Sequence, residues 1–265
     1  MANHPFTGKT AFVSGGASGI GRAIAEELGS RGMQVVVADI DLAGAEEVAA
    51  GIAGASAVKL DVREEASWVE ALDLAEFRHG PLAVMICNAG VAGPTLPIAE
   101  TSFEAWQWIR SINLDGAFLG LKHGARRILA AGSPGHIVAT ASMSVFFTPA
   151  RMGTYTACKA GVVGICDAMR DELADRSIGV SVLMPGPVRT SLLEVNAERA
   201  PSGVDIGPQG GGQTGALREG LDPAVVGRQV ADALGTDRFW LFTHPELEHR
   251  IDTRFAAMKQ AFHPD

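Results

Sequence analysis

The chain is 265 residues long with 32 glycines, and its 22 Lys and Arg against 30 Asp and Glu leave a formal charge of −8. Glycine at about 12% of the chain, against a usual ~7%, argues against a helical bundle or coiled coil. The acidic balance leaves no cationic footprint for nucleic acid or for an anionic membrane surface.

Short apolar runs alternate along the chain with longer segments of helical period, the pattern of repeated βα units on a parallel sheet. Residues 10–14 read as a first strand; Ile20, Ala23, Ile24 and Leu28 then fall on one helical face. Residues 34–38 form a second strand ending at Asp39, followed by a helix with Leu42, Ala45, Val48 and Ile52 inward. Residues 57–60, 82–87, 136–140 and 180–184 are four more strands, almost wholly apolar, as strands covered on both faces should be. Residues 239–242 complete a seventh. Two long helices are expected over 103–131 and 154–176. Residues 201–220 hold seven glycines and little that could pack, which suggests a lid within a segment spanning about 189–221. A chain of this length allows one large α/β domain or two small ones. Lacking any linker or repeat, it is expected to be a single doubly wound α/β domain over 1–265, with a parallel sheet of about seven strands and helices on both faces.

Residues 1–9 lack the basic stretch and apolar run of a secretory signal. The longest apolar stretch, 82–92, is broken by Asn88 and falls far short of the ~20 residues of a membrane span. Cys87, Cys158 and Cys166 have no CxxC spacing and fit a reducing cytoplasm better than a secreted scaffold. Cys158 and Cys166 read as small core or interface residues. The expectation is a soluble, cytoplasmic protein with no membrane or nucleic-acid partner.

The turn Ser14-Gly15-Gly16-Ala17-Ser18-Gly19-Ile20-Gly21 joins the first strand to the first helix. In a doubly wound sheet that junction binds a pyrophosphate: glycines let the backbone approach, and the helix N-terminus receives the negative charge. Such a turn can also merely close a βα unit, but here strand, turn, helix and second strand are all present. Asp39 at the tip of the second strand can accept hydrogen bonds from adenosine ribose hydroxyls and repel a 2′-phosphate, which favours NAD over NADP. Neither Ser18 nor Ile40 supplies the cation that a 2′-phosphate would want, and Asp41 is the better candidate to cap the following helix. Tyr155 and Lys159 are four apart and share a helix face; an ammonium there would favour the phenolate and bring tyrosine toward useful acid–base chemistry.

In that company the chain resembles the short-chain dehydrogenase/reductase family. The Ser14–Gly21 turn resembles its Thr-Gly-x-x-x-Gly-x-Gly motif, and Cys87-Asn88-Ala89-Gly90 its Asn-Asn-Ala-Gly motif. Asn113, Ser142, Tyr155 and Lys159 match its catalytic tetrad, and Pro185-Gly186-Pro187-Val188-Arg189-Thr190 its Pro-Gly segment. The likeness implies a Rossmann fold and hydride transfer between nicotinamide and a substrate carbon. It implies Tyr155 as general acid or base, Ser142 holding the substrate oxygen, Lys159 lowering the Tyr155 pKa and binding the nicotinamide ribose, and Asn113 holding a relay water. Cofactor contacts are implied at Gly15, Ser18, Gly19, Ile20, Gly21, Asp39, Asp61 and Val62, at Asn88, Ala89 and Gly90, at Tyr155 and Lys159, and at Pro185, Gly186, Val188 and Thr190. Asp61 belongs at the adenine or, alternatively, caps the next helix. Cys87 lacks the amide that braces the central sheet in the family.

The substrate neighbourhood should include Val91, Ser142, Met143, Ser144, Phe146, Phe147, Met152, Leu192 and Leu193, mostly apolar, with Arg151 the one evident cation. A hydrophobic secondary alcohol or its ketone fits best. An NADP-dependent ketoreductase and a catalytically silent nucleotide-binding sensor are the alternatives; a sugar-nucleotide epimerase is disfavoured by the Gly15-to-Gly19 spacing. No metal is expected: His244 and His249 are five apart, with Pro245 starting a helix between them. The family also suggests a homotetramer, or a homodimer, built on the two long helices.

Overall fold

The computed structural model describes residues 4–208 and 218–263. Seven strands form one all-parallel sheet: β1 (Thr10–Ser14), β2 (Gln34–Asp39), β3 (Ser56–Lys59), β4 (Leu82–Cys87), β5 (Gly135–Thr140), β6 (Ile178–Met184) and β7 (Trp240–Phe242), in the order β3-β2-β1-β4-β5-β6-β7. This is the doubly wound sheet expected from the alternating pattern. The order reverses between β1 and β4, where such sheets open a crevice at the carboxyl ends of the strands.

Alternate strand residues face opposite layers. Phe12, Val36, Met85 and Ile137 pack into one core with Trp68, Leu72, Leu121 and Val162, from α3 (Glu65–His79), α5 (Gly116–Ala131) and α6 (Gly153–Glu172). Val13, Val37, Ile86 and Val138 pack into the other with Ile24, Leu28, Val48, Val226 and Val230, from α1 (Gly19–Ser30), α2 (Leu42–Ala50) and α8 (Pro223–Ala233). Each such aliphatic side chain contributes about 1.5–3 kcal/mol on full burial, so the two layers are the main source of stability. Cys158 and Cys166 are wholly buried on α6.

One expected helix is interrupted. Residues 103–131 comprise α4 (Phe103–Arg110), a π turn (Ser111–Asp115) and α5. The wide turn inserts an extra residue into the helical ladder and buries Asn113 completely. Helix α7 (Leu192–Arg199) lies in the segment expected to be a lid, while residues 209–217 of that segment fall outside the described residues. A 3-10 turn at Pro245–Leu247 leads into α9 (Glu248–Gln260), so Pro245 does open a helical segment. Among the described residues no helix is long and apolar enough to cross a membrane.

Candidate active site

A cleft of about 650 Å³ opens over the β1–β4 junction. One end begins at the glycine turn. A Cβ on Gly21 would stand 2.0 Å from the Gly15 carbonyl oxygen, so only glycine lets the first turn of α1 pack on the loop. Ser18 precedes α1 in extended conformation without a side-chain cap bond. The helix N-terminus, with its positive dipole end, thus meets the cleft wall formed by Gly15, Ser18, Gly19 and Ile20. These are the features that suit a pyrophosphate.

Behind the turn, the Ser14 hydroxyl donates to the Ile86 carbonyl at 3.2 Å and accepts from the Asn88 amide at 3.0 Å. The Asn88 side chain donates to the Ser14 and Gly15 carbonyls at 3.2 and 3.3 Å and accepts from the Thr140 hydroxyl at 3.1 Å. Asn88 lines the cleft, but its amide is committed to tying β1, β4 and β5 together. It therefore braces the sheet centre next to Cys87, which has no amide to offer.

Asp39 is buried. It accepts from the Ala17 amide at 3.2 Å and the Asp41 amide at 3.0 Å, while Asp41 caps α2 through the Gly44 amide. It also has a partner that its sequence neighbours do not disclose: Arg199 of α7 places Nη2 3.2 Å from Asp39 Oδ1 and lines the cleft. Where neither Ser18 nor Ile40 supplies a cation, the fold brings one from 160 positions away. Asp61 and Val62 also line this end. Arg63 pairs with Asp61 through both carboxylate oxygens and holds that carboxyl below its ordinary value. Asp61 does not cap α3; Glu64 occupies the cap position.

At the other end the four tetrad residues converge. Ser142, at the end of the β5 connection, accepts from the Ser144 amide at 3.1 Å and lines the cleft together with Tyr155, which is half-buried in the first turn of α6. Lys159, one turn on, is buried and donates to the Thr140 carbonyl at 2.8 Å. Gly90 separates Lys159 from Asn113: a Cβ there would meet Asn113 Oδ1 at 3.1 Å and Lys159 Nζ at 3.4 Å. Asn113 accepts from the Val91 amide and donates to the Val91 carbonyl, both at 2.8 Å.

The titration behaviour departs from the expectation that Lys159 lowers the tyrosine. Burial pushes the Tyr155 phenol above its ordinary value, against the opposing influence of the Ser142 hydroxyl, and burial brings Lys159 down to about 8. The Lys159 ammonium stands 5.8 Å from the Tyr155 ring centroid and points its hydrogen bond at Thr140 instead. Both groups are desolvated in one pocket, which favours the neutral form of each.

Ala89, Gly90, Pro185, Gly186, Val188 and Thr190 also line the cleft. A chain of hydrogen bonds from the tail fixes the Pro-Gly segment. The Gly186 amide donates to the Thr243 hydroxyl at 3.2 Å, that hydroxyl lies 2.6 Å from His244 Nδ1, and His244 Nε2 lies 2.9 Å from the Pro187 carbonyl. His244 is thus a structural neighbour of the Pro-Gly segment.

Comparison with known proteins agrees with this geometry. The short chain dehydrogenase family model matches residues 9–200. The chain belongs to the short-chain dehydrogenase family. It is 35% identical, over 93% of its length and 88% of the relative's, to 1-deoxy-11-beta-hydroxypentalenate dehydrogenase of Streptomyces avermitilis. It is 33% identical to cyclohexanol dehydrogenase of an Acinetobacter species, over 73% of this chain and 78% of that one. A short-chain dehydrogenase/reductase from Burkholderia phymatum, solved in complex with NAD, superposes with a TM-score of 0.89 at 29% identity, covering 98% of this chain and 97% of that one. The chain is accordingly an oxidoreductase of this family.

Of the substrate residues expected in this short-chain dehydrogenase, Val91, Ser142, Met143, Ser144, Phe147, Met152, Leu192 and Leu193 all line the cleft. Phe146 does not; it packs among Trp240, Phe242 and Phe255 at the carboxyl-terminal edge. Pro149 and Val195, within the expected bounding segments, line the cleft too, whereas Trp108 and Ile112 are lining residues that the sequence did not point to. Trp108 and Ile112 stand four apart just before Asn113, a spacing that could have pointed to them. Arg199 had no local signal at all.

Proposed function

We propose that this short-chain dehydrogenase moves a hydride between NAD(H) and a hydrophobic secondary alcohol or its ketone. The observation that carries the reading is the convergence of Ser142, Tyr155 and Lys159 on one cleft walled by Trp108, Met143, Phe147, Leu192 and Leu193. The relatives named for cyclohexanol and for a hydroxypentalenate support a ring-bearing alcohol.

The side-chain-free contact of Gly21 with Gly15 and the open first turn of α1 fit the pyrophosphate of a dinucleotide. Gly15, Ser18, Gly19, Ile20 and Gly21 would hold it there, with Asp39 on the adenosine ribose, Asp61 and Val62 at the adenine, Asn88, Ala89 and Gly90 along the floor, and Pro185, Gly186, Val188 and Thr190 at the nicotinamide. When bound, the dinucleotide supplies the hydride acceptor or donor. Tyr155 exchanges a proton with the substrate oxygen, and Ser142 hydrogen-bonds that oxygen and holds it in line. Lys159 binds the nicotinamide ribose and carries positive charge near the phenol. The amide of Asn113 keeps one hydrogen and one lone pair beyond its Val91 bonds, the capacity that a relay water requires.

Arg199 beside Asp39 favours a second reading, in which NADP is also accepted. A panel of ring alcohols with NAD and with NADP, followed at the reduced-nicotinamide band, tests the class and the cofactor together. Tyr155→Phe should lower kcat by about 10²–10⁴-fold and leave NADH binding intact; retained turnover would refute the assignment. We further propose a single domain, a cytoplasmic location and a homotetramer assembled through α4, α5 and α6.

A further inference from the structure

The segment after β4 is gripped at alternate residues. Asn113, in the π turn, takes both the amide and the carbonyl of Val91 at 2.8 Å. Two residues on, Asn196 of α7 repeats the arrangement. Its Oδ1 accepts from the Gly93 amide at 2.8 Å and its Nδ2 donates to the Gly93 carbonyl at 3.3 Å, with no part of Asn196 exposed. Two further on, the Thr95 amide donates to the Ile206 carbonyl at 2.9 Å. The tetrad asparagine and the segment carrying α7 therefore hold successive links of one stretch of backbone.

Gly93 is held to its identity by space as well as by conformation. Its φ is +74°, and a Cβ would lie 1.9 Å from Cδ1 of Ile109. The backbone of Gly93 thus lies against α4 on one side and Asn196 on the other. Leu192 precedes Asn196 by four residues and Val195 by one, and both line the cleft, as does Leu193. The position of this apolar wall over the reacting centre consequently depends on where Asn196 docks.

We propose that Asn196 is a positioning residue for the substrate: its amide docks α7 on Gly93 and sets the gap between the Leu192, Leu193 and Val195 wall and Tyr155. The proposal rests on reading the cleft as an alcohol or ketone site. Removing the amide leaves two buried backbone groups of Gly93 without this partner, a state that costs enough to shift the docked helix toward solvent. Gly93 is not among the residues assigned to the dinucleotide, but Arg199 on the same helix pairs with Asp39, so the effect falls first on the substrate and only secondarily on the cofactor.

The test compares wild type with Asn196→Ala and the near-isosteric Asn196→Asp, using cyclohexanol and a small secondary alcohol, NADH fluorescence, and hydrogen exchange of residues 91–95. In Asn196→Ala the KM for cyclohexanol should rise about tenfold, the effect of ~1.4 kcal/mol. The small alcohol should be less affected, kcat should stay within about threefold, and NADH affinity should change by less than the KM for cyclohexanol. Exchange over 91–95 should quicken. Asn196→Asp keeps the acceptor for the Gly93 amide and should fall between the two, which preserves the test where the alanine variant does not fold. Unchanged exchange over 91–95, or a KM that does not move, overturns the role of Asn196, as does a loss of NADH affinity as large as the rise in KM. A wild type that turns over neither alcohol, with exchange still quickened in the variants, overturns the substrate reading and leaves the docking contact standing.

Discussion

Asp39 and Arg199 show how one side chain can alter the chemistry of a site assembled elsewhere. A lone carboxylate at the tip of β2 would repel a 2′-phosphate, whereas a carboxylate sharing an oxygen with a guanidinium presents a more nearly neutral surface. Asp39 is 4% exposed and Arg199 35%, so the cation is the half of the pair that meets the cleft and solvent. Arg199→Ala should therefore shift selection toward NAD, lowering the NADP-to-NAD ratio of kcat/KM by about tenfold, the equivalent of ~1.4 kcal/mol. Steady-state kinetics with both dinucleotides measures this; an unchanged ratio would remove Arg199 from cofactor selection. Asn88 teaches a related lesson. It stands where the motif places it, yet its side chain is occupied in joining three strands, so its contribution to binding comes from the shape it gives the floor.

At the scale of elements, β5 and β6 are joined beneath the sheet by a buried histidine. His136 places Nε2 2.9 Å from the Ser181 hydroxyl and accepts at Nδ1 from the Gly235 amide at 3.2 Å, and Ser181 in turn donates to the Arg238 carbonyl at 2.6 Å. Burial lowers the His136 pKa from 6.5 to about 4. The folded chain keeps this ring neutral where an unfolded histidine is protonated, so the unfolded state binds more protons across that window. Stability should fall as pH drops from 6.5 to about 4, by about 3 kcal/mol at ~1.4 kcal/mol per unit. Urea midpoints at both ends of the window check this: the loss should be smaller in His136→Asn, and an equal loss would contradict the assignment. The strands themselves were legible because each is a short apolar run, and the observed ends differ from the expected ones by at most two residues. The π turn was not, since Ser111 to Asp115 continues the helical character on both sides. Helix α3 buries Trp68, Ala71, Leu72 and Ala75 on one face, but Leu74 and Phe77 point outward and blur the period. Helix α7 is short, and its docking depends on Asn196 and Arg199 meeting residues more than a hundred positions away.

At the scale of the whole molecule, the two layers of helices converge on one cleft, and the tetrad motifs were readable because their order along the chain follows the order of the strands. What was not readable is how burial treats the pair at its centre. The helices proposed to form the oligomer expose Phe103 and Phe118, large apolar side chains that a second copy would cover. Sedimentation at micromolar concentration should show a tetramer, and a monomer would contradict that assembly. In the proposed mechanism Tyr155 is the acid–base group, and its pKa, raised by burial in the chain alone, should come down when a bound NAD adds its positively charged nicotinamide near the phenol. Tyr155 is the only tyrosine in the chain, so the tyrosinate absorbance belongs to it without ambiguity. Titrated without cofactor, it should ionise above the ordinary value; titrated in saturating NAD, it should ionise well below it. A midpoint that NAD does not move, or that stays at the free-tyrosine value in the complex, would contradict the account.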